Sequence, residues 1–294
     1  MARLTTLTTT LALTFAAGTL SLAHAADAPL SLSVYNPAEN AIFPVSSSLV
    51  TGKHDAILID AQFARKDAEA LIKQIRDSGK TLTTIYISHG DPDYYFGLDT
   101  IKAAFPKARI VATAPTLAHI KATMNQKIAF WGPKLGKDAP AKLIVPELLK
   151  GDTLKLEGQS LKVMGLEGAK SELSFVWIPS LRTVTGGVAV VGNQHVWMAD
   201  SKTVEARQHW KKTLDAITAL NPVQVVPGHF LPGAKMDISS VRFTRDYIDA
   251  IDAELPKAAD SKALVEAMKQ RYPSLGGTGD LELGAKVLKG EMPW

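Results

Sequence analysis

Not one of the 294 residues is a cysteine. No disulfide can therefore hold the fold, no thiolate can bind a metal, and no thiol can serve as a nucleophile. Long apolar runs are also scarce: past the N-terminal region no segment is long enough to span a bilayer. An excess of one charge is missing too. The 33 Lys and Arg against 29 Asp and Glu leave +4, spread along the chain. No basic cluster interleaves with aromatic residues, which argues against a nucleic-acid partner. There is no close repeat at a fixed period. What remains is a chain that must stand on its core and draw its chemistry from His, Asp, Glu and Tyr.

Residues 1–25 read as an export signal. Arg3 supplies the positive end, Leu11 to Leu22 form a short apolar stretch, and Ala23-His24-Ala25 is an A-x-A cleavage site. The expectation is a mature chain that begins near Ala26 and works in a bacterial periplasm. About 270 residues then remain, enough for one large domain or a domain with a terminal extension. The division expected is 26–235 for the domain and 236–294 for a C-terminal helical extension packed on it.

Alternating and continuous apolar patterns order the elements. Leu32–Tyr35, Ser48–Val50 and Ala56–Asp60 read as strands, and Asp67 to Lys80 as a helix whose Ala68, Leu71, Ile72 and Ile75 share a face. Thr84–Ile87 is a buried strand, Leu98 to Phe105 a helix and Arg109–Ala112 a strand. The middle consists of short strands, Leu154–Leu156, Ser160–Val163, Ser174–Ile178 and Thr183–Thr185, set apart by Gly and Pro turns. A helix from Val204 to Leu220 and a strand Val223–Val226 follow, then helices Ser240–Leu255 and, capped by Asp260, one through Arg271. The stretch from Gly276-Gly277 to Trp294 reads as peripheral. Strands and helices in this order, repeated in two halves, argue for sheets covered by helices.

The most informative run is Ser88-His89-Gly90-Asp91-Pro92-Asp93-Tyr94-Tyr95-Phe96-Gly97, at the end of the strand Thr84–Ile87. Alternate residues of an extended segment share a face, so His89, Asp91 and Asp93 project imidazole and carboxylates into one pocket. A second His ends a second apolar strand, in Pro227-Gly228-His229. Other readings of these residues stay open. Asp91 and Asp93 flank Pro92 and also suit a turn or a helix cap. A lone His after a strand is most often a hydrogen-bonded structural residue. Trp197, Phe96 and Tyr95 suit either a substrate mouth or packing. His54, His119 and His209 read as surface or helix residues with no partner signal.

Together these motifs resemble the metallo-β-lactamase superfamily, over Phe43 to Phe230. Asp60 matches the Asp that closes an early strand. The signature turn H-x-H-x-D-H is matched by His89 and Asp93, with Asp91 at the second His and Tyr94 at the third. Gly168-Ala169-Lys170 takes the place of a Gly-His-Thr, Thr185-Gly186-Gly187 that of a Gly-Asp whose carboxylate bridges two metals, and Pro227-Gly228-His229 retains the fifth motif. The resemblance implies an α/β fold, a four-layer αββα sandwich with its site along the strand ends. It implies one divalent metal ion, Zn or, with carboxylate in place of imidazole, Fe or Mn. His89, Asp91, Asp93 and His229 would be the ligands, Asp93 would position water, and Tyr94 would stabilise the oxyanion. Glu167 and Glu172 beside the third motif, and His195 and Asp200 after the fourth, are auxiliary candidates for the missing ligands.

The resulting functional expectation is an exported hydrolase of a small ester, lactone, amide or thioester, acting through an altered mononuclear site. β-Lactamase activity itself has little support, because that branch's ligand sets are not intact. The alternative is a non-catalytic member that binds a small ligand or a partner protein. A third reading, an iron site handling oxygen or redox chemistry, rests on Asp91 alone.

Overall fold

A computed structural model of the chain describes Met1, residues 29–167 and residues 171–293. The expected signal, with Ala23-His24-Ala25 and Ala26, and the segment Gly168-Ala169-Lys170 lie outside the described residues. Among the described residues no helix is long and apolar enough to cross a membrane.

The first half opens with β1 (Ser31–Tyr35), β2 (Ser47–Thr51) and β3 (Asp55–Ile59), followed by α1 (Arg65–Asp77) and β4 (Thr81–Ile87). Then come α2 (Pro92–Tyr95), α3 (Leu98–Ala104), β5 (Arg109–Ala112), α4 (Ala114–Leu135) and β6 (Glu147–Leu148). The six strands form one sheet in chain order. β1, β2 and β3 are antiparallel, and β3 to β6 run parallel. Continuous apolar runs make parallel strands buried on both faces. In β3 the pleat sends Ala56 and Leu58 to the helix side, with Leu71 and Ile75 of α1, while Ile57 and Ile59 face the other sheet. Tyr86 and Val111 of β4 and β5 join that inner layer.

The second half comprises β7 (Thr153–Leu156), β8 (Gln159–Met164), β9 (Phe175–Ile178), β10 (Thr183–Thr185), β11 (Val191–Gly192), α5 (Val204–Ala219), β12 (Gln224–Val225) and β13 (His229–Phe230). Three helices close it: α6 (Ile238–Glu254), α7 (Ser261–Arg271) and α8 (Thr278–Leu288). The second sheet has the order β12-β10-β9-β8-β7, and β11 and β13 make a small parallel pair. Leu161, Val163, Val176 and Ile178 meet the first sheet's inner face, whereas Phe175 and Val184 pack with Trp210 of α5 and with α6 to α8. Helices, two sheets and helices form the four layers expected. Asp260 caps α7 as read, its side chain accepting the Ala263 N–H at 2.8 Å. Three helices go beyond the sequence reading, α2, α4 and α8, and all three border the cavity described next.

Candidate active site

The strand ends of both sheets meet at a tightly bonded floor. Asp60 lies just past β3, and its carboxylate accepts from Ser88 N at 2.8 Å and from Ser88 Oγ at 2.6 Å. Ser88 Oγ in turn accepts the Gly187 N–H at 2.7 Å, which links the two sheets through one hydroxyl. Burial raises the Asp60 pKa, and the two Ser88 hydrogen bonds restrain the rise, leaving it at about 7. Two glycines are dictated by close approach. Gly187 holds φ +76, and a Cβ there would lie 2.1 Å from the Ser174 carbonyl oxygen. A Cβ on Gly228 would lie 1.9 Å from the Gly187 carbonyl oxygen, so the Pro227-Gly228-His229 turn can seat His229 only with glycine in the middle.

On this floor the charged groups form two couples. In the first, His229 Nε2 donates to Asp93 Oδ2 at 2.7 Å, and Tyr94 Oη lies 3.3 Å from His229 Nδ1 and 3.4 Å from the Gly187 carbonyl oxygen. In the second, His89 Nε2 donates to Asp91 Oδ2 at 3.2 Å and His89 Nδ1 to the Glu172 carbonyl at 3.1 Å. Both partners are acceptors, so the ring is an imidazolium. Burial opposes that charge, but Asp91, Asp93 and Asp200 outweigh it and lift the pKa to about 8. Lys127 Nζ donates to Asp91 Oδ1, and His119 Nε2 is 3.6 Å from that same oxygen. Burial would raise the Asp91 pKa, yet His119, His89 and Lys127 hold it well below the carboxylate range.

A cavity of about 330 Å³ covers both couples. Its apolar side is Phe43, Trp131, Leu173, Val188, Trp197 and Trp210. The Trp131 ring is 5.1 Å from Phe43 and 5.6 Å from Phe63, edge to face, which anchors one end of α4. α4 therefore supplies His119, Lys127 and Trp131 to the cavity, although of its 22 residues only Thr116 and Ile120 are buried. α8 supplies Asp280. Burial raises the Asp280 pKa and nearby His229 lowers it, for a value of about 6. The loop before α8 is tied down by the His195 N–H donating to the Gly276 carbonyl at 2.8 Å, so the tail read as peripheral forms part of the wall.

The residues singled out from the sequence divide clearly. His89, Asp91, Asp93, His229, Glu172 and Asp200 all line the cavity. Asp200 Oδ2 there accepts from Trp197 Nε1 at 2.7 Å. Glu167 is exposed and does not line the cavity. His195 is buried behind the wall, its Nδ1 2.9 Å from Tyr247 Oη. Tyr94 is fully buried, with its ring between His89 and His229 at centroid distances of 5.1 and 5.6 Å. Burial raises its pKa well above the phenol range. Tyr94 thus fills the space between the two imidazoles and positions His229, where an oxyanion role had been expected. His119, read as partnerless, sits on Asp91. Lys127, Trp131 and Asp280 were not singled out at all; only the gap between the strands Arg109–Ala112 and Leu154–Leu156 hinted at an element there.

These donors do not fit a resident metal ion as they stand. Among the described residues no three His, Asp or Glu side chains are arranged to hold one. The four expected ligands are taken up in two separate imidazole–carboxylate contacts, and an ammonium sits on Asp91.

The sequence profile described as the Metallo-beta-lactamase superfamily matches residues 41–229. Among solved structures, the DIM-1 metallo-beta-lactamase is similar at 20% identity and TM-score 0.55, over 74% of this chain and 92% of that one. A metallo-beta-lactamase from Pontibacter korlensis is similar at 18% identity and TM-score 0.56, over 75% and 95%. A metallo-beta-lactamase family protein from Thermus thermophilus is similar at 16% identity and TM-score 0.61, over 90% and 93%. At these identities the structural likeness speaks for the fold.

Proposed function

The chain belongs to the metallo-beta-lactamase superfamily, and from that premise we propose that it is a hydrolase of small esters, lactones, amides or thioesters that works with the charges of its own side chains. The observation that carries this reading is that the Asp93–His229 couple and the cationic pair His89 and Lys127 line one cavity with a largely apolar side. Its volume falls in the range of small-molecule sites, about 300–1,000 Å³. A carbonyl compound seated against the tryptophans would meet positive charge on one side and a carboxylate on the other.

In the proposed reaction water attacks the carbonyl carbon while Asp93 accepts its proton, with His229 holding the carboxylate in place. The developing oxyanion is stabilised by Lys127, whose ammonium has N–H groups beyond the one given to Asp91, and by the charge of His89. Collapse breaks the acyl bond, and the proton on Asp93 passes to the leaving group. The experiment is a panel of small esters, lactones, amides and thioesters, assayed with the wild type and with Asp93→Asn. Turnover lost in the variant supports the reading; an inert wild type removes it.

A second reading, a binding protein without catalysis, is favoured by one observation: both ring nitrogens of His89 and of His229 are already engaged. Ligand capture without turnover in the same panel would favour it. Export is part of the proposal as well. It is tested by the N-terminal sequence of the protein recovered from periplasm, which should start near Ala26.

A further inference from the structure

Where α8 borders the cavity, the wall holds acceptors without donors. Asp280 stands in the first turn of α8, where a carboxylate suits the helix dipole. Yet it lines the cavity, and its carboxylate makes no hydrogen bond or ion pair among the described residues. Gln194 lines the same cavity and is only 3% exposed. Its Oε1 is buried without a hydrogen-bond partner, and neither end of the amide is held by another described residue. Buried amides are rarely left unpaired. The two side chains are neighbours: a Cβ on Gly277, which holds φ +71, would lie 3.3 Å from Gln194 Cβ and 3.6 Å from Asp280 Oδ2.

Charge is unmatched here as well. Asp91 is paired with both Lys127 and His89. Asp280 and Asp93 share one imidazole, His229, whose Nε2 is already given to Asp93 at 2.7 Å. Whatever the protonation of that ring, two carboxylates face at most one positive charge. Burial raises the Asp280 pKa only to about 6, so the carboxylate is the form present at neutral pH. A donor that carries positive charge answers both deficits. An ammonium has three N–H donors and no acceptor. One N–H reaches the Asp280 carboxylate and another the Gln194 oxygen, which the unheld amide presents by turning about its broad last torsion. A hydroxyl would leave the charge unmatched, and an anion would be repelled.

We propose that Gln194 and Asp280 form a subsite for a primary ammonium group, so that the cavity takes small amines whose apolar body lies against its tryptophans. The site is one of binding and stands whether or not the cavity hydrolyses anything. In the hydrolase it makes the substrate an ester or amide that bears a free ammonium, an extension that rests on the hydrolytic reading. Binding of probes that cannot be hydrolysed separates the two: intact ammonium binding without turnover removes the hydrolase and leaves the subsite.

The test titrates the full mature chain with phenethylamine, an ammonium at neutral pH, and with phenethyl alcohol, which has the same apolar frame and no charge. Tryptophan fluorescence reports occupancy, because Trp131, Trp197 and Trp210 line the cavity, and calorimetry gives the affinities. The wild type should bind the amine about 10-fold or more tightly than the alcohol, as a charge-assisted hydrogen bond requires. Asp280→Asn should bring the two probes within about twofold of each other. Gln194→Leu, which keeps the volume and removes the acceptor, should weaken the amine by about fivefold and leave the alcohol nearly unchanged. Asp280→Ala and Gln194→Met serve if either variant does not fold. A wild type that binds the two probes alike, or does not bind the amine at millimolar concentration, would overturn the proposal. So would a preference for the amine that survives intact in folded Asp280→Asn or in folded Gln194→Leu.

Discussion

The floor of the cavity and its walls are held by different means. The floor is strand ends and turns whose polar groups are buried and bonded to one another: Asp60 to Ser88, Ser88 to Gly187, and Gly228 against Gly187. The walls are α4, with two buried residues in 22, and the tail that carries Asp280. Gly187 and Gly228 fix the floor, because a Cβ at either would collide with a backbone carbonyl oxygen. α4 rests on Ile120, on the ring contacts of Trp131 and on the ion pair of Lys127, while α8 buries Leu281 and Ala285 in the core of the second half. Stability should therefore be concentrated in the floor, and selectivity in the walls.

The largest effect expected is at Gly228. Gly228→Ala drives a methyl into the Gly187 carbonyl and should cost about 3 kcal/mol or more, as a lowered urea midpoint. Asp60→Ala comes next. It leaves the buried Ser88 N–H and hydroxyl without their acceptor, at about 2–4 kcal/mol. If either variant unfolds like the wild type, the floor is not the rigid half and the comparison fails.

Asp93→Asn addresses chemistry instead of stability. It should lower turnover by roughly 10²- to 10⁴-fold, the range of general acid–base catalysis, while the thermal midpoint moves by a few degrees. On the wall, Asp280→Asn should change KM by about 3- to 10-fold with kcat nearly constant, because Asp280 faces bound substrate without taking its proton. Equal losses in kcat and kcat/KM would move Asp280 from wall to machinery.

The smallest effect concerns His195, which joins the wall to Tyr247 of α6. Burial, helped by Lys269, lowers its pKa from 6.5 to about 4. The folded state thus holds the ring neutral where the unfolded chain would protonate it. That contribution to stability is complete above pH 6.5 and is lost as pH falls from 6.5 towards 4. Unfolding free energies measured across this window should decline with acid in the wild type, and less steeply in His195→Gln.

The same contrast explains what the sequence made legible. Floor residues lie in short motifs at the ends of apolar strands, so His89, Asp91, Asp93 and His229 stand out by spacing and type, and Asp60 by the family resemblance. The layered architecture followed from strand and helix order, and the pleat of β3 divides Leu58 from Ile59 as alternation requires. α4 gave no such signal. Its buried positions are too few for an apolar stripe, and Gly132 and Pro133 interrupt the sequence near its end. Its start was available in principle, in Thr113 capping ahead of Pro115. α8 hid behind Gly276-Gly277, where glycine marks the N-terminal side of the helix and Gly277 takes φ +71. The roles of Lys127 and His119 were beyond the sequence because they depend on one contact across 36 and 28 residues, made by a helix with no motif. Tyr94 is the opposite case: its motif position suggests chemistry, and in the fold its ring is buried between His89 and His229.

The central claim is that this cavity works on its own charges. The most direct measurement is the rate of hydrolysis of the best ester or lactone substrate before and after exhaustive chelation, with metal content followed in parallel. An unchanged rate in metal-free protein is the predicted result. A rate that vanishes with the metal and returns with added Zn²⁺, Fe²⁺ or Mn²⁺ would contradict the account and make Lys127 a residue that yields to an ion.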